Sequence, residues 1–205
     1  MDISACNSID GTIVDIKKGR ATTNLRMKSE IGDVVLVVTS SSVEALQVEV
    51  GDSVTALFRE VDVMLMKGDA AISTNNRFVG RVLDMKKGGV TAEMPLDLGG
   101  GRRMVAVIAR TAAEEMGIEI GDELTACVRE GDLVLAKGSA FSIRNRQQGT
   151  ITNLRPGTVT TELTLDTGNG ELYALLAKTV ADDMGLAEGD QVTALMRERD
   201  FLIER

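Results

Sequence analysis

The chain repeats itself at a fixed interval. Gly11, Gly80 and Gly149 stand 69 residues apart, as do Gly19, Gly88 and Gly157 in "KKGR", "KKGG" and "RPGT". Each of the first three glycines follows a short motif, "SACN", "STNN" or "SIRN", that begins at Ser4, Ser73 or Ser142. Later in each copy come "VGDSVTALFREVDVML", "IGDELTACVREGDLVL" and "EGDQVTALMRERDFLI", with Gly51, Gly121 and Gly189 in register after one-residue shifts. Such self-similarity restricts the fold to tandem copies of one supersecondary unit, each burying its apolar face internally or against a neighbour. The 205 residues divide into modules at 1–69, 70–138 and 139–205.

Local signals agree from copy to copy. Val90, Ala92, Met94, Leu96 and Leu98 alternate with polar residues, as do Val159, Thr161, Leu163 and Leu165, and a period of two means half-buried strands. "GGGR" and "GNGE" supply hairpin turns, after which "VVLVV", "MVAVIA" and "LYALLA" return as strands. A hydroxyl three residues before a carboxylate, at Ser41/Glu44, Thr111/Glu114 and Thr179/Asp182, predicts a capping box on a short helix. Gly117 and Gly185 then end that helix, and Gln47 takes their place in the first copy. The reading is all-β: three tandem small OB-like β-barrel modules, each of about five strands with one short helix. Units of this size have modest cores, and "MKGDAA" and "AKGSA" are short linkers, so the modules should pack on each other or interlock with a second chain.

Composition narrows the function. There is no histidine, which removes imidazole metal sites and histidine-based triads, so an enzyme is disfavoured. Aromatic residues make up 2% and the net charge is −8, which argues against nucleic-acid binding because stacking platforms and phosphate-tracking surfaces are missing. No apolar run approaches a membrane span, and "MDISACNSID" is unlike a secretory signal, so no membrane association and a cytoplasmic location are expected. Cys6 and Cys127 match no metal spacing and read as reduced structural thiols. The methionines, among them Met94 and Met104, lie on or beside apolar runs and read as core.

With these motifs in place, the chain resembles the molybdate-binding Mop family, the molbindins, whose module also occurs in TOBE domains of transport ATPases and in molybdate-responsive regulators. The resemblance rests on the "S-A-R-N" opening (here "SACN", "STNN", "SIRN"), the "G-x-(I/V)" after it, and the closing "VTALFREVDVML". It spans essentially the whole chain, three times over. It implies binding of molybdate or tungstate between modules, for storage or homeostasis, with no catalytic cofactor and no metal site apart from the oxyanion itself. No helix-turn-helix pattern or phosphate-binding loop accompanies the modules. Single-module relatives assemble as six chains and two-module relatives as three, so three modules per chain imply a homodimer with six modules.

A doubly charged oxyanion offers only acceptors, so its site must present amides, hydroxyls and a cation. The resemblance assigns one half-site to the opening motif: Ser4, Ala5, Cys6 and Asn7; Ser73, Thr74 and Asn75; Ser142, Ile143 and Arg144. Its arginine persists in the third copy alone. The other half-site comes from hydroxyls at the helix start, kept as Thr39 and Ser42 in the first copy, and from a closing-strand cation, here Arg59, Arg129 and Arg197. Arg110, Thr111, Lys178 and Thr179 lie beside the helix starts and are weaker candidates, better explained as caps or solvated residues. Copy three thus holds the better opening half and copy one the better helix half, so a complete site requires copy three to face copy one. The arginines precede aspartates (Asp62, Asp132 and Asp200), which leaves ion pairing as a structural explanation for them. A second reading is a regulatory or scaffolding module set whose oxyanion sites have decayed.

Overall fold

The computed structural model describes residues 3–201. Repeat 1 runs β1 (Asn7–Lys18), β2 (Thr22–Ser29), β3 (Gly32–Thr39), α1 (Ser40–Ala45), β4 (Ser53–Phe58), a 3-10 turn (Glu60–Asp62) and β5 (Val63–Met66). Repeat 2 follows with β6 (Asn76–Val82), β7 (Lys86–Lys87), β8 (Thr91–Gly99), β9 (Arg102–Ala109), α2 (Arg110–Glu115), β10 (Glu123–Val128), a 3-10 turn (Glu130–Asp132) and β11 (Val134–Lys137). Repeat 3 has β12 (Ala140–Phe141), β13 (Asn145–Pro156), β14 (Thr160–Asp166), β15 (Glu171–Ala177), α3 (Lys178–Asp183), β16 (Gln191–Met196) and a 3-10 turn (Glu198–Asp200). The molecule is all-β, with OB-like units and one short helix in each. Among the described residues no helix is long and apolar enough to cross a membrane.

The recurring glycine of β1 has a steric cause. A Cβ on Gly11 would sit 2.5 Å from the Lys28 carbonyl oxygen of β2. The strand passes too close to its neighbour for any side chain, and Gly80 and Gly149 likewise face strand carbonyls, of Asp97 at 3.1 Å and Asp166 at 3.0 Å. Just beyond Gly11 the β1–β2 register shifts between Ile13 and Asp15, and the same irregularity recurs between Ile151 and Asn153 of β13. Such bulges bend a long strand so that one end pairs with β4 and the other with β2.

The closing strands do not return to their own sheets. β5 of repeat 1 pairs with β10 of repeat 2, Val63 opposite Val128, while β11 of repeat 2 pairs with β4 of repeat 1, Val134 opposite Leu57. The two units therefore complete each other, and their apolar residues form one continuous core from Ile9 to Leu135. After Phe58 the chain turns through Glu60–Asp62 into an extended Val63, which carries it away from β4. Because repeat 2 is tethered directly behind, the exchange costs little chain entropy. Each donated strand is fastened at its end: Lys67 donates to Asp122 (2.7 Å) and to the Gly117 carbonyl (2.8 Å), and Lys137 to Asp52 (2.7 Å) and the Gln47 carbonyl (2.7 Å).

Repeat 3 is built differently. Its sheet has the order β15-β14-β13-β16, and its fully buried apolar cluster is limited to Ile151, Leu163 and Leu165. Its counterpart of β5 and β11 starts in sequence at Phe201, and residues 202–205 lie outside the described residues.

The predicted capping boxes are corrected. The helices begin two residues earlier than those boxes require, at Ser40, Arg110 and Lys178, so Ser41, Thr111 and Thr179 lie inside the first turn. Strand β3 runs straight into α1, and the cap is Thr39, whose hydroxyl accepts from the Ser42 N–H. Ala109 and Ala177 occupy the same place in the other copies and offer no side-chain cap. The helix ends are as expected: Gln47, Gly117 and Gly185 have φ of 49, 54 and 61°.

Candidate functional site

The start of repeat 3 lies against the helix start of repeat 1. Ser142 is threaded beside β11, donating its N–H to the Leu135 carbonyl (2.8 Å) and accepting the Leu135 N–H on its hydroxyl (3.0 Å). Its carbonyl accepts from the Ser42 hydroxyl at 2.8 Å, although 100 residues separate the two. Ser42 also shares a proton with Thr39 at 2.7 Å, and Ser41 donates to Thr39 at 3.4 Å. Arg144, two residues past Ser142, donates to the Ser41 hydroxyl at 3.0 Å. The seam thus gathers four hydroxyls, of Thr39, Ser41, Ser42 and Ser142, and a guanidinium. Ser42 and Ser142 are buried, while Arg144 is exposed at its mouth.

Copy three thus meets copy one within a single chain. Ser41 lies inside the first turn of α1, and no signal in the sequence points to its contact with Arg144. Ile143 is buried beside the seam and serves as apolar support.

The other opening motifs are differently engaged. Cys6 donates to Glu60 at 3.3 Å, and desolvation, followed by the Glu60 charge, pushes its thiol well above the ordinary range. Asn75 directs its backbone N–H and side-chain amide to the Glu130 carboxylate, at 2.8 and 2.9 Å. Thr74 is buried and donates to the Val128 carbonyl at 2.6 Å. Ser4 and Ala5 are half-buried, and Ser73 is exposed.

Asn7 is engaged between repeats. Its amide donates to the Val105 carbonyl (2.8 Å) and accepts the Val105 N–H (2.7 Å), and its residue is 3% exposed. Both polar ends bond to β9, so Asn7 joins repeats 1 and 2. Asn76 makes the reciprocal pair with Val35 of β3, at 2.8 and 2.7 Å.

The three closing-strand arginines are not brought to the seam, because each turns to the aspartate three residues on. Arg59 grips Asp62 with two bonds (3.0 and 2.8 Å), Arg129 reaches Asp132 at 3.0 Å, and Arg197 reaches Asp200 at 2.8 Å. Arg197 also lies 3.3 Å from Asp62 and 3.4 Å from Asp132, so the 3-10 turns of all three repeats meet around it. Burial of Asp132, 3% exposed, makes this a structural ion network.

Of the weaker candidates, Arg110 pairs with Glu114 and Lys178 with Asp182 along their own helices. Thr111 is exposed, and Thr179 donates to the buried Glu93 at 3.3 Å. Burial raises the pKa of that carboxyl. A cleft of about 710 Å³ lies elsewhere, with Asp10, Glu30, Arg102 and Arg103 among its lining residues. No group of residues suited to hold a metal ion occurs among the described residues.

Comparison with known proteins places these features in a family context. A TOBE domain model matches residues 3–65, 72–132 and 142–196. Molybdenum-pterin-binding protein MopA of Rhodobacter capsulatus is 37% identical over 136 residues, 63% of this chain and 51% of that protein. The chain therefore spans about half the length of that relative. Molybdenum-pterin-binding protein 2 of Clostridium pasteurianum is 40% identical over 65 residues, 32% of this chain and 96% of that protein. Among solved structures, the cytoplasmic molybdate-binding protein ModG with molybdate bound aligns with a TM-score of 0.64 at 29% identity. That alignment covers 66% of this chain and 99% of ModG.

Proposed function

We propose, from the premise that this chain belongs to the TOBE-domain family, that it binds a tetrahedral oxyanion, molybdate or tungstate, and carries out no reaction on it. The relatives support the ligand class: two are named for molybdenum-pterin binding, and ModG was solved with molybdate bound. Within this chain one observation carries the reading, the 3.0 Å contact between Arg144 and the Ser41 hydroxyl across the repeat 3–repeat 1 seam.

The seam suits such a guest. The Ser41 hydroxyl, bonded to Thr39 and Arg144, can rotate to donate to an oxyanion, while Ser42 gives its one proton to the Ser142 carbonyl and braces the seam. Arg144 contributes a fixed fork of donors and a charge that does not titrate. A chain of net charge −8 attracts no anion at long range, so binding depends on this local convergence of donors. Storage or homeostasis in the cytoplasm, in a homodimer of six modules, completes the proposal.

A second reading, a scaffolding or regulatory assembly with decayed sites, draws on the other two motifs. Cys6 and Asn75 replace the arginine, and both are held by glutamates, so those seams present carboxylate where an anion would sit. Together the two readings predict one working seam per chain.

Equilibrium dialysis against molybdate, tungstate and sulfate tests this. Molybdate and tungstate should bind at about one per chain, and Arg144→Ala should weaken them by at least ~10-fold, the loss of a charge-assisted contact. Arg59→Ala, whose guanidinium is held by Asp62, is the comparison variant. Unchanged affinity in both would leave the seam without a role.

A further inference from the structure

We propose, resting on the oxyanion reading of the seam, that Glu198 is an internal competitor of the oxyanion. Its carboxylate takes a donor that molybdate or tungstate would use, and the ion binds by displacing it, so this one residue sets the affinity.

The same contact recurs in all three repeats. A glutamate follows each closing-strand arginine, as Glu60, Glu130 and Glu198. Each accepts from the third residue of its own opening motif. Glu60 takes the Cys6 thiol at 3.3 Å, Glu130 takes the Asn75 N–H and side-chain amide at 2.8 and 2.9 Å, and Glu198 takes the Arg144 N–H at 3.3 Å. The neighbouring arginines bind Asp62, Asp132 and Asp200, which leaves the glutamates to the opening motifs.

Repeat 2 shows what such a carboxylate replaces. Two N–H donors of Asn75 converge on a single oxygen, Oε1 of Glu130, the arrangement in which donors grip one oxygen of an anion. To a donor, a carboxylate and a tetrahedral oxyanion present the same partner, a charged oxygen that only accepts. The copies differ in how firmly that partner is held. Glu60 is 2% exposed, and Glu130 accepts two short bonds, whereas Glu198 is half-buried and holds Arg144 by one bond of 3.3 Å. The loosely held glutamate therefore stands at the one motif that keeps its arginine.

Arg144 has donors engaged on two sides, its N–H with Glu198 and its guanidinium with the Ser41 hydroxyl. A doubly negative ion that takes the N–H meets the Glu198 charge at hydrogen-bond range, where half-burial leaves the repulsion incompletely screened. Glu198 must then turn toward solvent, and its own bond is lost. A glutamate that merely braced the opening motif would need only its acceptor oxygen; a competitor needs its charge.

Glutamine separates these roles, since it keeps an acceptor and removes the charge. In equilibrium dialysis Glu198→Gln should bind molybdate and tungstate at least ~10-fold more tightly than the wild type, the effect of removing one like charge at close range. Glu119→Gln, at an exposed carboxylate of repeat 2, makes the same change in net charge and should leave the affinity as it is. As a second measurement, tungstate should shift the Arg144 amide and Glu198 carboxyl resonances together in isotope-labelled wild-type protein. Equal or weaker binding by Glu198→Gln would overturn the inference and leave the oxyanion reading in place, and so would a Glu198 resonance indifferent to tungstate. Binding by Glu198→Gln alone would uphold the competitor and remove the working seam from the wild type. Failure of both proteins to bind either ion would end the two together.

Discussion

Lys137 Nζ lies 2.7 Å from Asp52 Oδ2, joining the end of a strand from repeat 2 to the loop before β4 of repeat 1. Lys67 and Asp122 form the same pair in the opposite direction. The hydrogen bond from Lys137, and then the one from the Glu49 N–H, holds the Asp52 carboxyl below its usual range. A carboxyl depressed in the folded state adds stability above its unfolded pKa of about 4 and loses it as pH falls through the folded value. Lys137→Met should therefore unfold at lower urea than the wild type at pH 7, with the difference narrowing toward pH 3. The bond to the Gln47 carbonyl leaves a remainder that does not depend on pH. A gap of equal size at both pH values would remove Asp52 from the account.

Gln47→Gly should stabilise the protein by ~1 kcal/mol, because Gln47 holds a φ of 49° that an L side chain occupies at a cost and glycine does not. The backbone carbonyl that accepts from Lys137 is unaltered. Thermal melts of the two proteins decide the point, and a lower midpoint for the variant would count against it.

Gly11→Ala should destabilise by about 2 kcal/mol or more, since the new methyl would meet the Lys28 carbonyl oxygen at 2.5 Å and backbone cannot move aside cheaply. Gly32→Ala makes a useful contrast: no atom lies within 4 Å of its Cβ, so its cost arises from φ of 118° alone. Chemical denaturation of both separates crowding from backbone strain.

Cys6 should resist alkylation by iodoacetamide at pH 8 in the native protein, although the residue is exposed. Its thiol is desolvated and faces Glu60, which keeps it protonated and unreactive. Cys127 is buried and should also remain unmodified until guanidinium is added. Native labelling of Cys6 at the rate of a free thiol peptide would contradict the Glu60 contact.

Much of the site was legible because it depends on residue types at fixed spacing. The kept hydroxyls Thr39 and Ser42 and the single Arg144 single out copies one and three in the sequence, and these two copies touch in the structure. The arginines Arg59, Arg129 and Arg197 were ambiguous between an anion and the aspartates that follow them, since both partners offer the same chemistry to a guanidinium. Geometry turned them to the aspartates. Asn7 shares its motif with Ser4, yet Ser4 precedes the strand that Asn7 begins, and the Asn7 amide reaches β9.

By itself the sequence determined the repeating unit: alternation sets strands, glycines mark close approach and left-handed turns, and the lack of histidine and scarcity of aromatic residues disfavour whole classes of chemistry. These are local properties, recorded wherever a short stretch recurs. Which strand completes which barrel was decided by the tertiary structure alone, because β5 and β11 carry nearly the same apolar pattern and fit either sheet edge. Only the direction in which each 3-10 turn sends the chain, and the tether to its neighbour, selects the exchange.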